Sequence, residues 1–225
     1  MDARDRRLFD YLETFLTPAR RTRLREVAAL RTRHVALVLD DIYQRHNLSA
    51  ALRSCDALGV QDVYLVEPRQ EVRISSDVAG GSDKWLTLHR YRTVDAAEQC
   101  LADLLAAGYR VVVATPDASA PTPETLDLQQ RLAVVIGNET AGVSAVFQQA
   151  AEERLHLPMV GFVESFNLSV AAALALFELT RRLRRSDAAW RLTPDEMERL
   201  LFEWTRASIP HGEAIETRWR AEHPI

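Results

Sequence analysis

The sequence predicts an α/β protein with a mostly parallel sheet and helices on both faces. Three observations predict it. Short runs rich in Val, Leu and Ile recur along the chain and alternate with segments of helical periodicity. The runs are apolar throughout instead of alternating with polar residues, as in strands covered on both faces. Polar loops follow the strands, and in such sheets ligands bind at the carboxyl ends of strands.

The elements follow in order. Residues 4–33 read as helix, broken near Thr17-Pro18. HVALVLD (34–40) is a strand bounded by charge. Residues 48–58 place Leu48, Ala51, Leu52, Cys55 and Leu58 at helical spacing, and Gly59 stops the helix. DVYLVE (62–67) and WLTLHRY (85–91) are the next strands, and 94–107 is a helix ended by Gly108. YRVVVAT (109–115) and LAVVIG (132–137) are strands separated by a Pro- and Thr-rich loop. Residues 144–152 are helical, RLHLPMVG (154–161) is a strand ending at Pro158, and 167–185 is a long helix. LTPDEMERLLFEWTR (192–206) opens with Thr193 as N-cap, Pro194 behind it and Glu196 three residues on, the pattern of a capping box. The last residues read as a frayed tail.

A chain of 225 residues suits one domain with helical extensions. The expected division is a basic helical extension at 1–33, an α/β domain at 34–185 and a helical extension at 186–225. No apolar run approaches the roughly 18 residues a bilayer span needs. The start, MDARDRRLFDYLETF, has no apolar core of a signal peptide. Cys55 and Cys100 form no metal-ligand spacing, so no metal is expected, and a reducing, cytoplasmic setting is the default.

The net charge of −4 argues against a nucleic-acid partner, but its distribution does not. RRTRLREVAALRTR (20–33) and RRLRR (181–185) are strongly basic. Lys84 is the only lysine, so nearly all positive charge is arginine, whose planar fork suits phosphate. Charge alone leaves two readings open, a phosphate-binding surface and a pair of solvated helix faces.

Familiar nucleotide loops are excluded. No GxGxxG opens a helix. Gly137 and Gly142 have the outer spacing of a P-loop, but Val143 and Ser144 stand where its Lys and Ser/Thr belong. Three polar segments remain, HNLSAALR, VVIGNETAGVS and LHLPMVGFVESFNLSVAAALALFE. Each has a plain structural reading. Asn47 or Ser49 caps one helix, Ser165 or Asn167 caps another, Glu139 is a solvated loop carboxylate, and Arg53 lies off the apolar stripe. Gly137 allows a sharp turn or a close backbone approach.

In this order and spacing the segments carry more. HNLSAALRSCDALGV, VVIGNETAGVS and LPMVGFVESFNLSVAAALALFE resemble the three signature motifs of the SPOUT class of RNA methyltransferases, and more closely the TrmH kind, the tRNA guanosine-18 2′-O-methyltransferases. GGSDKW (80–85), VVATPD (112–117) and LTPDEMERLLFEW also resemble family segments, so the likeness runs over roughly 20–206.

The resemblance implies a deep trefoil knot in the C-terminal part of the sheet domain, S-adenosylmethionine as cofactor, tRNA as partner and a homodimer with the site near the subunit interface. It implies catalytic roles for Arg53, Asn47, Glu139, Ser165 and Asn167. Asn47 is expected to orient Arg53 or the partner subunit, and Glu139 to bond Arg53 or the ribose. Cofactor contacts carry over to Thr115, Gly137, Leu157, Met159, Phe166, Asn167 and Leu168. Arg20, Arg21, Arg23, Arg25, Arg181, Arg182, Arg184 and Arg185 are then candidates for the RNA backbone. The chain departs from the family pattern at Phe166, where leucine is common, at Glu164, where glutamine is common, and at Thr140, where lysine is frequent. The alternatives are a methyltransferase of ribosomal RNA, a non-catalytic RNA-binding protein on the same fold, and an α/β enzyme acting on a small molecule. About 33 residues before the first strand favour tRNA over ribosomal RNA, whose enzymes often carry a larger separate N-terminal domain.

Overall fold

A computed structural model describes residues 1–69 and 71–224. The chain divides into two compact units, one of residues 32–190 and one of residues 1–31 with 191–225. In the terminal unit, α1 (Ala3–Glu13) and α2 (Pro18–Ala28) come from the start of the chain. The expected break near Thr17-Pro18 is there, and the Thr17 hydroxyl accepts from the Arg20 N–H at 3.2 Å. The helix predicted to run to residue 33 ends sooner, at Ala28.

Among the described residues the larger unit carries six strands, all paired in parallel. They are β1 (Val35–Asp40), β2 (Asp62–Val66), β3 (Thr87–Tyr91), β4 (Arg110–Thr115), β5 (Leu132–Ile136) and β6 (Glu153–His156). The order across the sheet is β3-β2-β1-β5-β4-β6. Between them run α3 (Arg45–Leu58), the short α4 (Ser76–Ala79), a 3₁₀ turn (Ser82–Trp85), α5 (Ala96–Ala106) and α6 (Ala145–Ala150), and α7 (Leu168–Leu183) follows β6. The expected fold class therefore stands as a six-stranded parallel α/β sheet.

Alternation along β1 shows why both faces are covered. Val35, Leu37 and Leu39 point into one core with Leu52 of α3 and Leu176 and Leu179 of α7. Ala36 and Val38 point into the other, with Leu104 of α5 and Phe147 of α6. Cys55 belongs to the first core and Cys100 to the second, both fully buried. Gly59 and Gly108 take φ of 77° and 76°, and each ends the helix before it as expected.

Two further expectations need correction. The strand predicted to end at Pro158 stops at His156, where its ladder with β4 closes on the pair of Thr115 with His156. Beyond that point no partner strand continues, and Pro158 has no N–H to offer one. The tail read as frayed contains a helix. In the terminal unit α8 (Pro194–Ala207) opens with the expected capping box of Thr193 and Glu196, and α9 (Gly212–Glu222) follows it. Gly212 packs so closely on α8 that a Cβ there would lie 2.2 Å from the Arg206 carbonyl oxygen, and Trp219 is buried.

No helix among the described residues is long and apolar enough to cross a membrane. No group of three or more His, Cys, Asp or Glu among them is placed to hold a metal ion.

Leu52 is fully buried where α3 meets the sheet and α7. Leu52→Ala should lower the unfolding free energy by about 3 kcal/mol. A urea titration followed by far-UV circular dichroism should show a lower midpoint at an unchanged slope.

Candidate active site

The loops after β1 and β5 must meet, because these strands are neighbours in the sheet. The chain leaves β1 through Asp41, whose φ of 56° turns it sharply, and enters α3 with Gln44 at the N-cap position. The Gln44 side chain caps nothing there. Asn47 sits in the first turn of α3 and is only 3% exposed. Its amide nitrogen donates to Gln44 Oε1 at 3.0 Å and to Glu139 Oε1, in the loop after β5, at 2.5 Å. Its amide oxygen accepts from Asn167 Nδ2 at 3.1 Å. Asn167 Oδ1 in turn accepts from the Ser169 N–H at 3.0 Å and the Ser169 hydroxyl at 2.7 Å, which caps α7.

One residue from each of the three sequence segments is thus joined in a single hydrogen-bonded chain. The capping reading holds for Asn167 and fails for Asn47, whose side chain is spent on Gln44, Glu139 and Asn167. Ser49 is not a cap either. Its hydroxyl donates to the Arg45 carbonyl at 2.7 Å and accepts from the Ser75 N–H at 2.8 Å, tying the segment after β2 to α3.

The loop of residues 137–144 has an enforced shape. A Cβ on Gly137 would lie 2.3 Å from the Gly142 carbonyl carbon and oxygen, so the close approach expected of this glycine is to its own loop. Asn138 and Gly142 exchange backbone hydrogen bonds at 3.1 and 2.9 Å. The Asn138 side chain accepts from the N–H groups of Thr140 (2.8 Å) and Ala141 (3.0 Å), and donates to the Asp41 carbonyl at 2.8 Å. The buried Asp40 carboxylate accepts from the Ser144 N–H at 2.7 Å. Burial holds the Asp40 carboxyl above the usual carboxylate range, against the opposing pull of that bond. Sequence reasoning singled out neither Asp40 nor Asn138. The available signal was a carboxylate ending an otherwise apolar strand.

Beside this loop lies a cleft of about 410 Å³ at the carboxyl ends of β4, β5 and β6. Thr115, Gly137, Leu157, Met159, Phe166 and Leu168 all line it, as do Glu139 and Ser165. Ala114, Ile136, Leu155 and Ala171 add apolar wall, and Glu164 stands at the same cleft. Its size and mixed lining suit a small organic ligand with a few polar anchors.

Arg53 lies apart from the hydrogen-bonded chain. It is exposed, and its Nη1 donates to the Val78 carbonyl at 3.4 Å. Within one chain it bonds neither Asn47 nor Glu139, so neither expected pairing is formed there. The basic residues near the end of α7 are partly committed to the fold. Arg182 donates to the carbonyls of Pro123 (2.5 Å) and Leu126 (2.9 Å), Arg184 to that of Leu58 (2.6 Å), and Arg181 forks onto Glu178 at 2.9 and 2.7 Å. Arg185 is exposed. In the terminal unit Arg20 donates to Ser208 at 3.3 Å, Arg23 pairs with Glu26 at 3.5 Å, Arg25 pairs with Glu13 at 2.5 Å, and the Nε of Arg21 is buried.

Comparison with known proteins places this geometry in context. Residues 34–177 match the sequence model of the SpoU rRNA Methylase family. The chain is 32% identical over 205 residues to the tRNA (guanosine(18)-2′-O)-methyltransferase of Borreliella burgdorferi, covering 91% of this chain and 93% of that one. Its fold superposes on the crystal structure of the Aquifex aeolicus TrmH/SpoU tRNA modifying enzyme with a TM-score of 0.75 at 27% identity, covering 85% of this chain and 98% of the other. An AdoMet-bound rRNA methyltransferase from Sinorhizobium meliloti matches with a TM-score of 0.59 at 26% identity, over 71% of this chain and 60% of that one.

The raised Asp40 carboxyl makes a signed prediction. Its protonated form contributes stability that is fully present below its ordinary value of 3.8 and is lost as pH rises through the higher folded value. Wild type should therefore lose stability relative to Asp40→Asn as pH increases from about 4 upward. Urea midpoints of the two proteins across that range check it, and a constant difference would count against a raised folded pKa.

Proposed function

The chain belongs to the SpoU rRNA methylase family, and we propose that it transfers a methyl group from S-adenosylmethionine to the ribose 2′-hydroxyl of guanosine 18 in the D-loop of tRNA. The observation that carries this reading is the meeting of Asn47, Glu139 and Asn167, one from each signature segment, with Glu139 lining the 410 Å³ cleft and Asn47 and Asn167 outside its lining. Relatives that share nearly the whole chain length act on tRNA, which favours tRNA over ribosomal RNA.

The cleft fits the cofactor. Its apolar stretch, from Leu157 and Met159 to Phe166 and Leu168, offers faces for a flat base, and its carboxylates, Glu139 and Glu164, suit a cation. When bound, S-adenosylmethionine supplies a methyl group made electrophilic by the attached sulfonium. The residues then have to hold the 2′-oxygen in line and at near-attack distance. Asn47 fixes the Glu139 carboxylate by one oxygen and leaves the other for the ribose. Asn167 holds Asn47 from the far side and sets the start of α7, and Ser165 stands at the cleft mouth. Arg53 brings a planar, cationic guanidinium. Its role is to stabilise the oxygen as it loses its proton and to hold the adjacent phosphate.

Arg53 stands away from these groups in one chain, which supports a site completed by a second copy. The face for that copy is on α7, where Val170, Leu174 and Phe177 are 43%, 43% and 55% exposed at positions that share one side of the helix. A homodimer follows as part of the reading, together with a cytoplasmic setting. The trefoil knot belongs to it as well. Its support is the loop of residues 116–131, which holds both chain segments that follow β5. Pro121 accepts from the His156 N–H at 2.8 Å, and Pro123 and Leu126 accept from Arg182 of α7. Arg185 of α7 and the arginines of α2 remain the candidates for the RNA backbone.

Labelled methyl transfer to unmodified tRNA and to ribosomal RNA fragments, followed by nucleoside mapping, tests the function. Label is expected as 2′-O-methylguanosine in the tRNA D-loop, with Arg53→Ala slower by about 100-fold or more. Arg53→Lys with near-normal turnover would remove the need for a planar fork. Label in ribosomal RNA alone would move the substrate, and transfer to neither would overturn the reading. Leu174→Arg should shift the protein to monomer in analytical ultracentrifugation and reduce methyl transfer with it.

A further inference from the structure

The charged side chains that line the cleft among the described residues are both carboxylates, Glu139 and Glu164. Arg154 and His156 lie nearby, but they act on Asp117 and neither lines the cleft. Glu139 is held at its wall by Asn47. Glu164 lies in the exposed loop between β6 and α7, beside Ser165 and Phe166. No hydrogen bond or ion pair is formed by its side chain within the described chain, and the fold does not need its charge.

From this arrangement we infer that Glu164 is a specificity-determining residue that makes the cleft favour the methyl donor over the demethylated product by charge. The inference rests on the cofactor assignment given above. S-adenosylmethionine carries one more positive charge than S-adenosylhomocysteine, because methyl transfer turns its sulfonium into a neutral thioether. The two molecules are otherwise nearly the same shape, so apolar walls such as Met159 and Phe166 hold them about equally. An anionic lining separates them. It attracts the charged form and loses that attraction once the methyl has left, so product leaves more readily than donor.

Glu164 is open to solvent, which limits the effect. An exposed carboxylate near a cation is worth about two- to fivefold in affinity, screened further by salt.

Isothermal titration of the full chain with S-adenosylmethionine, S-adenosylhomocysteine and sinefungin tests this. Sinefungin replaces the sulfonium by a carbon bearing an amine and so keeps the positive charge without a transferable methyl. Glu164→Gln should lower the ratio of the product Kd to the donor Kd by about two- to fivefold. Glu164→Lys should lower it further, and sinefungin should follow the donor in both. Raising the salt concentration should narrow the ratio in wild type and change it less in Glu164→Gln. The melting temperature of the free protein should not move, since the side chain packs against nothing that holds the fold. A ratio unchanged in both variants while wild type binds the donor would overturn the inference alone. Wild type that takes up neither donor nor product would overturn the cofactor assignment and this inference with it.

Discussion

Five parallel Cα pairs, from Val35 with Leu132 to Leu39 with Ile136, decide where the chemistry can form. They place the end of β1 beside the end of β5, although most of a hundred residues separate the two strands in the chain. Everything at the site hangs on that ladder. Asp40 and Asp41 at the end of β1 grip Ser144 and Asn138 in the loop after β5, one through a buried carboxylate and the other through a backbone carbonyl. The loop so held presents Glu139 to Asn47, and Asn47 receives Asn167 from the start of α7. A slip of one residue in this ladder would turn every side chain of β1 to the opposite face, exchanging the two cores and undoing the site together.

The arrangement also explains why Asn47 is buried and polar at the mouth of an apolar helix. Both of its amide hydrogens and its oxygen are engaged, so its burial leaves nothing unpaired. An asparagine has donors and an acceptor on one planar group, and this position uses both kinds. A carboxylate would confront Glu139, and an alanine would leave Gln44, Glu139 and Asn167 without their shared partner.

Much of this was legible in the amino-acid order, for reasons tied to particular residues. Apolar runs such as LVL and VVV marked strands covered on both faces, and Gly59, Gly108, Thr193 and Glu196 marked helix ends through local chemistry that needs no tertiary context. The strand order across the sheet was not legible, because neighbours such as β1 and β5 are chosen by packing over long separations. Nor were the roles of Asp40 and Asn138, whose partners are loop N–H groups and a carbonyl fixed only by the folded chain. Periodicity overextended β6, since no pattern reports that a neighbouring strand has ended at Thr115. It missed α9, which is mostly polar and buries one large side chain, Trp219. The basic stretch of α7 left two readings open, and no charge pattern reports that Arg182 and Arg184 donate to backbone carbonyls of their own fold.

The burial of both native thiols has a practical side. Cys55 and Cys100 are fully buried, and burial pushes the Cys100 thiol well up, so neither sulfur is open to a reagent in solution. Lys84 is likewise the one lysine in 225 residues. The folded protein is therefore close to blank toward thiol reagents and offers amine reagents a single lysine. A single cysteine introduced at Phe162, which is fully exposed in the loop between β6 and α7, would be its only accessible thiol. A dye or spin label there would report on that loop without any need to remove the native cysteines from the two cores.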